Sequence, residues 1–84
     1  MTDIKEIKNP DDLFIYGDLK QKMKDEGYNI STLSEAMNLQ RITLNRKLLG
    51  QSWFSQKDIY QICRLLNIDL KHISTYFFQT RADE

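Results

Sequence analysis

The chain has 84 residues, 40% of them hydrophobic and 29% charged, with twelve Lys and Arg set against twelve Asp and Glu. That composition is too apolar for intrinsic disorder and suits one globular domain with a single core. One cysteine excludes an internal disulfide and a zinc site of several thiolates, and no stretch approaches the roughly 18 apolar residues of a membrane span, so a soluble cytoplasmic protein is expected.

Residues 1–14 read as an acidic N-terminal arm, with Asp3, Glu6, Asp11 and Asp12 against Lys5 and Lys8 and the only proline, Pro10. Leu19 and Met23, flanked by Ile15 and Tyr16, predict a first helix over 17–26, and Gly27 is placed to stop it. Ser31 is the expected cap of a short second helix, 31–37, with Leu33, Ala36 and Met37 on its buried face. Asn38 tolerates the left-handed backbone that ends a helix, and Leu39 follows as an apolar plug.

Gln40 to Leu49 forms the predicted third helix, with Leu44 and Leu48 inward and Gln40, Arg41, Asn45 and Arg46 outward; Gly50 ends it. In the loop that follows, Trp53 and Phe54 are expected to cover the edge of the core. Ser55 caps a fourth helix whose inner stripe is Ile59, Ile62, Cys63 and Leu66, and Asn67 closes it. Asp69 caps a last helix from Leu70 to about Phe77, and residues 79–84 form a frayed tail. The expected fold is all-α, a compact bundle of about five short helices over residues 15–78.

A helix, a tight turn at Asn38 and a second helix allow one helix to enter the major groove of DNA while the other braces the backbone. The run Leu33-Ser34-Glu35-Ala36-Met37-Asn38-Leu39-Gln40-Arg41-Ile42-Thr43-Leu44-Asn45-Arg46-Lys47-Leu48-Leu49-Gly50 resembles the lambda-repressor-like (Cro/cI-type) helix-turn-helix family. The flanks, Tyr16 to Lys24 and Phe54 to Ile68, continue the resemblance and look like small phage proteins of the genetic-switch region. It implies a helix-turn-helix transcriptional regulator of repressor type that reads operator DNA with helix 40–49. The implied base-reading positions are Gln40, Arg41, Asn45 and Arg46, with Thr43 and Ser31 as phosphate contacts. These types suit the task, since arginine bonds guanine bidentately and glutamine or asparagine bonds adenine. Three positions depart from the family's usual residues: Ile30 replaces a phosphate-clamping glutamine, Ser34 a small alanine and Asn38 a glycine.

Charge placement matters more than the neutral total. Segment 36–54 contains Arg41, Arg46 and Lys47 and no acid, so a local positive surface is expected there. Ile42 falls on the outer side of the third helix, where it can meet a thymine methyl or anchor a protein. The competing reading is therefore an anti-repressor, a module that keeps the fold but binds a partner repressor through Ile42 and Leu49. Tyr76-Phe77-Phe78 closes the core or forms a homodimer seam. Cys63 reads as a core residue and His72 as a surface side chain. With no nucleophile constellation, ligand cluster or phosphate loop, neither an enzyme nor a cofactor is expected.

Overall fold

Four residues with left-handed backbone divide the chain: Gly27 (φ 84°), Asn38 (φ 59°), Gly50 (φ 81°) and Asn67 (φ 58°). In the computed structural model, which describes residues 14–80, each follows a helix: α1 Gly17–Asp25, α2 Ile30–Met37, α3 Arg41–Leu48 and α4 Gln56–Leu65. All four ends close in the same way. The amide after the left-handed residue donates back into the last turn: Tyr28 to the Met23 carbonyl (2.8 Å), Leu39 to Ser34 (2.9 Å), Gln51 to Arg46 (2.9 Å) and Ile68 to Cys63 (2.8 Å). This closure satisfies carbonyls the helix would otherwise orphan, and it needs a residue that accepts positive φ. At Asn38 the exchange Asn38→Ala is expected to cost about 1 kcal/mol in urea unfolding, with Asn38→Gly near neutral, because only the former strains the backbone.

The start of α2 differs from the sequence expectation. Its cap is Asn29, whose Oδ1 accepts the Thr32 amide at 2.9 Å while the Asn29 amide donates to Thr32 Oγ1 at 2.9 Å. Asn29 wins because Thr32, three residues on, returns the bond. Ser31 lies inside the first turn, and its carbonyl accepts the hydroxyl of buried Ser34 at 3.0 Å, which resolves the burial of that polar group. Ala36 is exposed, and Ser34 takes the inward place beside Leu33 and Met37. Ser55 does cap α4, accepting the Asp58 amide at 3.0 Å. Asp69 caps a 3₁₀ turn, Leu70–His72, by accepting the Lys71 amide at 3.1 Å, and that turn leads into the short α5, Ile73–Phe77. The expected single helix 70–77 is thus a tight turn followed by an α segment.

Inside, Leu19, Leu33, Leu44, Ile62 and Phe77, one from each described helix, are fully buried together with Leu66 at the end of α4. Tyr16, Phe54 and Phe77 stack edge-to-face, with centroids 5.1 and 5.4 Å apart. Phe54 is therefore the lid that the sequence suggests. Its neighbour Trp53 is half-exposed and meets Phe14 edge-on at 5.5 Å. Cys63 is buried, which pushes its thiol up and fits a small core residue.

The two ends of the described segment meet. The Ile15 amide donates to the Gln79 carbonyl at 2.9 Å, and Phe14 bridges Thr80, so pairing extends to the first two residues of the expected tail. That isolated bridge is the extent of β pairing among the described residues. The acidic residues of the expected arm and residues 81–84 lie outside them. Among the described residues the architecture is an all-α bundle of five helices and a 3₁₀ turn, and no described helix is long and apolar enough to cross a membrane.

Candidate nucleic-acid interface

Three residues, Asn38, Leu39 and Gln40, separate α2 from α3. Half-buried Leu39 packs against the core, and Leu44 and Leu48, one turn apart on α3, are buried beneath it. The helix is fixed by that inner side, so its outer side is presented in a defined direction. Arg41, Ile42, Asn45 and Arg46 are all exposed there, with Ile42 56% accessible. Gln40 occupies the cap position in extended backbone, and its side chain makes no capping bond. Its amide is available to an outside partner.

Gln40, Arg41, Asn45 and Arg46 are therefore brought together on one helix and its cap. Thr43 is half-buried at the flank of that helix, and Ser31 is exposed on the first turn of α2. Neither the Arg41 nor the Arg46 side chain has an ion-pair or hydrogen-bond partner among the described residues. Two arginines left free on an outward face, on the same side as an asparagine and next to an uncommitted glutamine, form a cationic surface rich in hydrogen-bond donors.

Lys47 leaves that surface. Its ammonium lies 2.9 Å from Asp58 Oδ2 and 2.9 Å from the Trp53 carbonyl, and both charged side chains are mostly buried. The basic character expected of segment 36–54 is therefore carried by Arg41 and Arg46, because an acid from the next helix folds back to neutralise the lysine. Asp58 also accepts the Ser55 amide at 3.0 Å, so the bridge ties the last turn of α3 to the first turn of α4. Burial raises the pKa of the Asp58 carboxyl, but the Ser55 amide and the Lys47 ammonium outweigh it and hold the group below its ordinary value.

Lys47→Met is expected to cost about 2 kcal/mol at pH 7, less than for a fully buried pair because water still reaches both side chains. Since Asp58 has its pKa depressed in the folded state, its contribution is complete above the unfolded value of about 3.9 and is lost as pH falls through the lower folded value. The gap between wild type and Lys47→Met, measured by urea unfolding, should accordingly be wide at pH 7 and narrow as pH falls below about 3.9.

Two further cations join the surface from α1. Lys20 and Lys24 line a groove of about 420 Å³ whose other walls include Ile30 at the start of α2 and Asn45 and Leu49 at the end of α3. The one-dimensional pattern hides them, because they belong to a helix remote in sequence from Asn45. Their spacing of four, one residue after buried Leu19 and Met23, does place them on one edge of α1. By contrast, Lys22 on the same helix is paired with Glu26 at 3.1 Å. Comparison of the chain with known protein families, with curated proteins and with solved structures gives no match.

Proposed function

We propose that the protein is a helix-turn-helix transcriptional regulator of the lambda-repressor-like kind, and that α3 reads operator DNA in the major groove. The observation that carries this reading is the outward face of α3: the side chains of Arg41, Asn45 and Arg46 exposed without partners among the described residues, Gln40 uncommitted at the cap, and Leu44 and Leu48 holding the opposite side. Arginine at these positions suits guanine, and asparagine or glutamine suits adenine. Thr43 and Ser31 are the proposed phosphate contacts. A homodimer reads two half-sites about 34 Å apart, and the half-exposed Tyr60, Leu70 and Phe78 supply an apolar face for such pairing. The proposed setting is the cytoplasm, that of a bacterial host cell if the protein is phage-encoded, and the proposed role is non-catalytic.

The test is retardation of duplex DNA flanking the protein's own gene, repeated over a salt series. Specific retardation that weakens steeply with salt is the expected result, because each phosphate contact releases counterions. Equal affinity for unrelated duplexes, or no retardation at low salt, overturns the proposal.

Exposed Ile42 favours a second reading, a module that binds another repressor. Co-purification with a neighbouring repressor, combined with no retardation of DNA, is the result that reading requires.

A further inference from the structure

The groove between α1 and α3 combines features that DNA alone does not use. Its floor is apolar, built from Met23, Ile30 and Leu48, and exposed Leu49 forms its lip. Its rim is basic. Lys20 and Lys24 sit one helical turn apart, and their ammonium groups have no ion-pair or hydrogen-bond partner among the described residues, an arrangement that is mildly self-repelling until an anion lies between them. At the mouth of α2, the Asn29 and Thr32 amides are already taken by their reciprocal cap bonds, and Ile30 turns an apolar side chain to the groove.

A phosphate backbone would satisfy the two lysines and leave the apolar floor unused. A peptide segment carrying apolar side chains on one face and carboxylates on the other satisfies both. We infer that this groove is a docking site for an acidic, amphipathic segment of a protein partner, seated with its apolar face on Met23 and Ile30 and its carboxylates on Lys20 and Lys24. Because Asn45 belongs both to the groove wall and to the outer face of α3, an occupant covers part of the surface assigned above to DNA. Occupancy and DNA binding then exclude one another; this last step alone rests on the DNA-binding proposal.

The experiment is a titration of the full-length, isotope-labelled protein followed by amide NMR. The probe is a synthetic helical peptide with leucines on one face and glutamates on the other, and the control is a scrambled peptide of identical composition. Saturable shifts at Lys20, Lys24, Ile30 and Leu49 are expected with the amphipathic peptide and not with the scrambled one. The double variant Lys20→Glu and Lys24→Glu, both exposed positions, should keep its helical circular dichroism and lose at least about tenfold in affinity, because like charges then face each other across the contact.

Absence of saturable shifts, equal binding of the scrambled peptide, or undiminished affinity of the double variant overturns the inference. So does a result in which duplex DNA, and not the peptide, shifts the groove residues and loses that effect in the double variant, because the lysines would then be backbone contacts. Peptide binding is read without DNA, so a failure of the operator proposal leaves this result standing, and the reverse also holds.

Discussion

Replacing Arg41 and Arg46 together with alanine is expected to weaken operator binding by roughly 30-fold or more while leaving the fold intact. Both side chains are exposed and neither bonds within the described residues, so truncation removes no internal contact and should move the unfolding midpoint little. Each bidentate arginine-guanine contact is worth about 1 to 3 kcal/mol of discrimination, and two such losses combine to about 2 kcal/mol or more, which is the stated factor. The salt series separates the routes by which this could happen. If the arginines read base edges, affinity for the operator falls towards that for random DNA and the salt slope stays nearly constant. Phosphate contacts would instead weaken both DNAs alike and reduce the slope by about one per arginine. Unchanged operator affinity in the double variant removes α3 from the interface, whatever else the protein does.

How far the sequence could be read depended on the range of the interaction involved. Helix ends were legible because they are decided locally. Gly27, Asn38, Gly50 and Asn67 each accept a backbone conformation most residues avoid, and all four do stop a helix. The inward pairs Leu19 with Met23 and Leu44 with Leu48 were legible for the same reason, since a spacing of four marks one side of a helix. The cap of α2 was misplaced by two residues, at Ser31 instead of Asn29. The missed signal was Thr32, which returns the bond to Asn29 in place of the glutamate or glutamine more often found there.

What the sequence hid was tertiary. Nothing in segment 36–54 announces that Asp58 reaches back to bury its carboxylate on Lys47, or that Lys20 and Lys24 arrive beside Asn45 from α1. The two facts act in opposite directions on the same surface. One cation is withdrawn from the C-terminal turn of α3 and two are supplied from across the groove, so the positive region extends towards α1. A charge count along the chain gives the sign of that region without its position.

Phe77 and Phe78 are adjacent aromatics that a pattern treats as one apolar cluster, yet their substitution by alanine should differ by several kcal/mol. Phe77 is 2% exposed and its ring stands edge-on to Phe54, which in turn meets Tyr16. Phe78 is 48% exposed and touches Phe14 at the rim. Helix α5 has only five residues, too few to be stable from its own hydrogen bonds, so it persists because Phe77 anchors it against the core. Phe77→Ala leaves a cavity there, and its expected cost of about 3 to 5 kcal/mol is a large part of the stability of a domain this small. Phe78→Ala should cost about 1 kcal/mol or less. Urea unfolding of the two variants side by side checks the contrast. Equal costs would mean that Phe77 is not the residue closing the core, and the pairing of Ile15 with Gln79 would then need another anchor.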